Sequence, residues 1–284
     1  MRYNEKGYRT DVKKMGGNMY TAKDHTFVIC AYKENPYLER TIRSIEKQTV
    51  KSRIILSTST PNEYIENICK KHSIKWFVNP KPHLAGDDWN YGYCKAETPL
   101  VTIVHQDDLY EPNFLEETLK SINAKKKDDV IIVYTDYYEL KLGRKERNNL
   151  LLIIKRIMNF PLSISCLQKM RFVRRRILSF GCPICCPAVT YVKKNAGDQV
   201  FDTVYKNSCD YKTWVDLARR QGRFVYIRKP LMLHRIYAES ATTLNLNDNI
   251  RKKEDYEILC ELWPRPIAKL INDIYAKSEK SNIV

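Results

Sequence analysis

Two adjacent carboxylates, Asp107 and Asp108, end an apolar run in the stretch LVTIVHQDDLYEP. Hard oxygen ligands side by side suit a divalent cation that keeps room for substrate phosphates. The same pair suits two plainer purposes, capping the next helix or lining a solvated turn. Phosphates are otherwise held by glycine-rich loops. The chain has nine glycines and neither a G-x-G-x-x-G nor a G-x-x-x-x-G-K-[ST] run. If a diphosphate binds, a metal is the remaining obvious way to neutralise it. A third carboxylate, Asp210, lies in NSCDYKTWVDLARRQG. Asn207 or Ser208 can cap a helix there that runs to about Gln221, and Asp210 in its first turn complements the helix dipole. His234, with Arg235, ends an apolar strand, where a histidine serves structure as readily as chemistry.

The elements that must position these groups alternate. Apolar runs predict strands over 26–32, 53–57, 74–78, 100–104 and 130–138. Helices are expected between them, with Asn35 as a cap and Pro36 at the first helical position of one, and others over 62–72, 87–96 and 111–123. Continuous apolar strands alternating with helices argue for an α/β fold with a mostly parallel sheet covered on both faces. Ligands of such sheets bind outside the carboxyl ends of the strands. Four polar exits therefore converge on one rim: Ala31-Tyr32-Lys33-Glu34, Ser57-Thr58-Ser59-Thr60, Asn79-Pro80-Lys81 and His105-Gln106-Asp107-Asp108. Past Gly222, two short strands are expected over 224–227 and 231–234. Two further helices separated by Pro264 close the sequence, as a buttress or an oligomer contact.

Three segments in this order and spacing resemble the family 2 glycosyltransferases of the GT-A fold: TFVICAYKENPYLERTIRSIEKQT, HQDDLYEPNFLEETL and CDYKTWVDLARRQGRFVYIRKPLMLHRIYAESAT. The resemblance spans 26–243. It implies inverting sugar transfer from a nucleotide-sugar donor, most readily a UDP-sugar, with Mg²⁺ or Mn²⁺. Ala31, Tyr32, Glu34 and Thr58 would cradle the nucleotide. Asp107 would contact ribose and metal, and Asp108 the metal, with His234 closing the metal site. Asp210 matches the family's general base. The sequence departs from the family pattern at three places. His105 stands where an acid commonly opens the metal motif. Ser57-Thr58-Ser59-Thr60 replaces acids that read the base. Cys209 replaces the acidic neighbour of the base.

Nine cysteines, an odd number without a finger-like arrangement, and no apolar leader in the polar stretch 1–25 fit reduced thiols in a cytoplasmic protein. Cys182, Cys185 and Cys186 read as buried thiols better than as zinc ligands. The net charge of +16 is uneven, because 141–176 holds eleven Lys/Arg against one acid. Its longest apolar run, 150–154, is far short of the ~20 residues of a membrane span. A basic amphipathic helical insertion over 139–181, broken near Pro161, is expected either to pack on the core or to lie on an anionic membrane, where each Lys/Arg contributes about 1 kcal/mol. The acceptor would then be a glycan or a lipid-linked sugar, in cell-surface polysaccharide synthesis at the inner face of the plasma membrane. Residues 244–284 form a helical extension. Two rival functions remain. One is a catalytically degenerate nucleotide-sugar binder, favoured by His105. The other is a nucleic-acid binder, against which stands the lack of any RRM, zinc-finger or helix-turn-helix signature.

Overall fold

The structure, a computed structural model, describes residues 19–125, 129–237 and 250–280. Most of the expected leader and the stretch 238–249, which includes Thr243, lie outside these residues. The apolar runs become β1 (His25–Ala31), β2 (Arg53–Thr58), β3 (Lys75–Val78), β4 (Leu100–His105), β5 (Leu109–Tyr110), β6 (Val130–Lys141), β7 (Arg144–Glu146), β8 (Val189–Val192) and β9 (Arg223–Ile236). They form one sheet in the order β3-β2-β1-β4-β8-β6-β9-β5, with β7 paired to β6.

The pairing is parallel from β3 through β2 and β1 to β4, and again between β6 and β9. It is less uniformly parallel than the sequence implies, because β8 runs antiparallel to both β4 and β6. One reversed strand between β4 and β6 leaves those two pointing the same way. The ends of β1, β2, β4 and β9 therefore reach the same rim. Phe27, Ile29 and Val104 bury on one face with Leu38, Ile42 and Phe114, while Val28, Val101 and Ile103 bury on the other with Tyr191 and Trp214. Both faces are covered, which is why the strands lack a polar alternation.

The covering helices are α1 (Leu38–Glu46), α2 (Glu63–Lys71), α3 (Ala85–Lys95), α4 (Phe114–Asn123), α5 (Leu150–Asn159), α6 (Arg171–Leu178), α7 (Lys193–Ala196), α8 (Cys209–Arg219), α9 (Ile250–Cys260) and α10 (Arg265–Lys280). Asn62 caps α2 by accepting from the Ile65 N–H at 2.9 Å. Close approach of α3 to the sheet needs Gly92, since a Cβ there would meet Val28 Cγ1 at 2.8 Å. The break at Pro264 separates α9 from α10 as expected.

Three local expectations change. Asn35 and Pro36 stay outside α1, and Tyr37 takes the cap position. The Asn35 side-chain oxygen accepts from the Tyr37 N–H (2.9 Å), ahead of the first helical residue, while its amide donates to Tyr237 Oη (3.0 Å), so the side chain shapes the turn into α1 instead of capping it. The two short strands past Gly222 are one strand, β9, whose register against β6 shifts near Asp136. The bulge takes up Pro230, which cannot donate to the ladder. Ser208 occupies the cap position of α8 without capping it, because its hydroxyl donates to Asp255 at 2.7 Å. Glu254 of α9 caps that end instead, accepting from the backbone N–H groups of Lys206, Asn207 and Ser208 at 2.8, 2.8 and 2.9 Å. The C-terminal helices thus buttress the helix that carries Asp210.

The basic segment divides. Its first residues form the β6–β7 hairpin, and α5 and α6 follow with short 3-10 turns at Phe160–Ser163 and Leu167–Lys169 between them. Leu151 and Leu152 of α5 are buried, whereas Leu150 and Ile157 are 72% and 68% exposed. On α6, Arg174 is fully buried over the Phe224 ring (5.2 Å) and donates to the Arg220 carbonyl at 2.7 Å. Burial lowers its pKa to about 10. Among the described residues no helix is long and apolar enough to cross a membrane.

Candidate active site

β4 delivers the acid pair to the rim and β9 returns alongside to hold it. Asp108 is fully buried. One of its oxygens, Oδ1, accepts the Arg235 N–H at 2.9 Å and faces His234 Nδ1 at 3.2 Å. The other, Oδ2, is buried without a hydrogen-bond partner among the described residues, and His105 Nδ1 stands 3.8 Å from it. A buried carboxylate oxygen left unpaired is costly unless something else fills it. Asp107 points Oδ2 at the Tyr237 hydroxyl (2.9 Å), and its carbonyl accepts from Arg235 Nε (2.8 Å). The Arg235 guanidinium lies over the Tyr37 ring at 4.0 Å, and Tyr37 packs edge-on against Tyr237. Asp107, Asp108 and His234 therefore come together as the sequence suggested. Arg235 and Tyr237, which the sequence reading assigned no role at this site, fix them.

The electrostatics follow from crowding charges where water is scarce. Burial, then the Asp108 charge, push the Asp107 carboxyl above its ordinary range. Burial pulls His234 down, but the Asp108 carboxylate outweighs it, and the imidazole ends above its ordinary pKa.

The nucleotide-side residues line the neighbouring exits. Ala31 pairs in register with Thr58 across β1 and β2. The Tyr32 backbone is tied to the acid-pair turn by two bonds from one side chain: Gln106 Oε1 accepts its N–H (2.9 Å) and Gln106 Nε2 donates to its carbonyl (3.0 Å). The Tyr32 ring stays exposed. Lys33 turns the chain with φ +56°, uncommon for a side-chain-bearing residue, and donates its N–H to Thr60 Oγ1 at 2.5 Å. Glu34 is exposed at the lip of this exit. An acid from outside the second strand does reach its end. Asp88 of α3 accepts from Ser59 Oγ (2.5 Å) and from the Asn79 amide (2.8 Å), joining the ends of β2 and β3. Its neighbour Trp89 stacks on His105, ring centres 4.9 Å apart and 24° from coplanar. Only the DDW run of α3 could have signalled these two residues in sequence.

Asp210 sits half-buried at the start of α8 and accepts its own neighbour's N–H, from Tyr211, at 2.8 Å. Burial pushes its carboxyl upward, while the charges of Arg251, His105 and Lys155 work the other way. His105 acts on Asp107 as well, so one imidazole's charge bears on both the acid pair and Asp210 at the rim, the chamber of the candidate site. Cys209 beside it is a buried thiol whose pKa burial drives up, as are Cys182, Cys185 and Cys186. None of them has the depressed pKa that a thiolate nucleophile needs.

Among the described residues no three His, Cys, Asp or Glu side chains gather tightly enough to hold a metal by themselves. The unpaired Oδ2 of Asp108 would instead fit a cation whose remaining ligands were substrate oxygens.

The chain matches a family model described as glycosyl transferase family 2 over residues 26–186. Two curated relatives are uncharacterized glycosyltransferases. One, from Rickettsia typhi, is 25% identical over 86% of this chain and 72% of its own length. The other, from Rickettsia prowazekii, is 24% identical over 87% and 73%. Among solved structures, the mannosyltransferase PcManGT of Pyrobaculum calidifontis, in complex with GDP-Man and Mn²⁺, superposes with a TM-score of 0.60 at 13% identity, over 91% of this chain and 70% of its own. S. aureus TarS 1-349 in complex with UDP-GlcNAc does so with a TM-score of 0.60 at 12% identity, over 91% and 73%. Both show the same GT-A fold.

Proposed function

The chain belongs to the family 2 glycosyltransferases, and on that premise we propose that it transfers a sugar, with inversion, from a UDP-sugar to an acceptor hydroxyl with the help of Mg²⁺ or Mn²⁺. The observation that carries the metal-dependent reading is Asp108, with one oxygen anchored by β9 and the other buried without a partner. Asp108 would hold the cation together with donor phosphates, and Asp107 would share it and the ribose. His234 would complete the site, and as placed it does so by steadying Asp108. When bound, the cation neutralises the diphosphate and eases its departure.

The chain's own groups do the rest. The Tyr32 ring, Ala31, Thr58 and Glu34 form the cradle for the nucleoside. The Asp88 carboxylate, presented by Ser59 and Asn79, offers the acceptor that the imide N–H of uracil needs. Asp210 takes the proton of the acceptor hydroxyl as that oxygen attacks the anomeric carbon and the bond to the diphosphate breaks on the opposite face. A carboxyl whose pKa burial has raised is a stronger base than an exposed one, which suits this role. Support for a sugar nucleotide comes from the two structural neighbours, one in complex with GDP-Man and Mn²⁺ and one with UDP-GlcNAc. A glycan or lipid-linked acceptor at a cytoplasmic membrane face, in polysaccharide synthesis, fits the basic helices beside the chamber.

A thermal-shift series with UDP, GDP and their sugars, each with and without Mn²⁺, tests this reading. Stabilisation by a UDP compound that needs Mn²⁺ and is lost in Asp108→Asn supports it. Metal-independent stabilisation would remove Asp108 from its role. The degenerate-binder alternative rests on His105 in place of an acid. It predicts Mn²⁺-dependent binding with no transfer or donor hydrolysis.

A further inference from the structure

Away from the chamber, α5, the β7–α5 connection and the bulge of β9 enclose a cavity of about 810 Å³. Four cations line it: Arg147, Arg156, Arg228 and Lys229. Two have acids. Arg147 lies 3.1 Å from Asp136 and Lys229 2.7 Å from Glu117. The other two make no ion pair among the described residues. Arg156 Nη1 donates to the Arg147 carbonyl (2.6 Å), and Arg228 rests over the Phe160 ring (5.4 Å). Arg147 Nε is buried with no acceptor. The remaining wall is Asn148, Tyr226 and three apolar side chains, Ile153, Ile157 and Phe160, the last three forming its outer edge. These three are exposed, as are Leu150 and Ile154 on the same helix.

We propose that this cavity is an anionic phospholipid site, in which the two cations without acids take a headgroup phosphate while Leu150, Ile157 and Phe160 enter the acyl boundary of a membrane. Charge complementarity selects the phosphate, since cations held against main-chain carbonyls and an aromatic ring carry unspent charge. The apolar ridge selects a lipid over a free anion, because a soluble phosphate gives Leu150 and Ile157 nothing to bury in. The same helix reaches the chamber. Lys155, next to Arg156, donates to Tyr137 Oη at 3.2 Å, and its charge acts on Asp210. A membrane bound on this face would therefore hold the surface beside the proposed base, where a lipid-linked acceptor arrives. The inference rests on the membrane part of the proposed function and not on its chemistry.

The test is co-sedimentation of the full chain with phosphatidylcholine vesicles, with and without phosphatidylglycerol. Binding is expected only to the anionic vesicles and to persist in excess inorganic phosphate. Each cation near such a surface is worth about fivefold in partitioning, so R156E/R228E should lose more than about tenfold. Ile157→Ser, at an exposed position, should weaken binding while keeping the wild-type melting temperature, and it serves if the double variant folds poorly. Sugar transfer to a soluble acceptor should be unchanged in both. Equal binding to zwitterionic vesicles, release by inorganic phosphate, retention on duplex DNA in preference to vesicles, or undiminished binding by the variants would each overturn the proposal. Loss of vesicle binding by all forms, with transfer intact, would sink it alone and leave the glycosyltransferase reading standing.

Discussion

At the sheet rim each acid is pinned. Asp108 is held by a main-chain N–H and an imidazole, and Asp107 by Tyr237 and Arg235. Between α5 and β9 the opposite holds, and Arg156 and Arg228 make no ion pair among the described residues. Chemistry at a developing charge needs groups fixed beforehand, because reorganising them during reaction costs rate. Binding to an anionic surface needs charge that the fold has not already neutralised. The contrast between pinned acids and unspent bases separates the reacting region from the docking region without reference to any relative.

Substitutions at the rim should carry the largest effects and break the contrast if they do not. Asp210→Asn is expected to keep metal-dependent donor binding and to cut transfer about 10²- to 10⁴-fold in a steady-state assay. Near-normal turnover would remove the base assignment. Asp108→Asn should abolish the Mn²⁺-dependent thermal shift with UDP and lower transfer on the order of 10²-fold or more. Glu254→Gln tests the support beneath Asp210. It weakens a carboxylate that accepts from three backbone N–H groups, and denaturant unfolding should show a loss of about 1–3 kcal/mol.

The smallest effect is one of pH, and its sign is opposite to that of an ordinary salt-bridged acid. Burial raises the folded pKa of Asp210, so the fold favours the protonated form. Its stabilising contribution is present below the unfolded carboxylate pKa and is lost as pH rises through the raised folded value. Asp210→Asn should therefore melt higher than wild type at neutral pH, with the gap closing in acid. Transfer by wild type should climb with pH through the same raised pKa. A gap that widens in acid would mean that Asp210 is stabilised as a carboxylate, and the base would have to be sought elsewhere.

The parts of this site that were legible in sequence are those whose cause is local. The apolar run ending in HQDD marks both the strand and its rim, while Asp210 reads by position only as a first-turn acid and is singled out by the resemblance of its segment. The parts that were not legible depend on distant residues. Asn35 reads as a helix cap, yet its amide donates to Tyr237, 202 positions away. Ser208 reads as a cap as well, and it is Glu254 of α9, 46 positions away, that accepts from the backbone entering the helix. Asp88 reads as a first-turn acid of α3, and only the fold brings it to Ser59 and Asn79 at the ends of β2 and β3. Sequence period reports which face is buried, not which loop end will meet which.

Gln106 grips both polar atoms of one peptide unit's residue, Tyr32. The proposed nucleoside cradle and the acid pair are consequently two ends of a single lever. On that proposal, a nucleoside that shifts Tyr32 on binding would also move the carboxylates offered to a cation, and the reverse would hold with the same free energy. Donor and ion should thus change one another's affinity by an equal factor, and Gln106→Ala should shrink that factor to the part carried by direct contact between cation and donor phosphates.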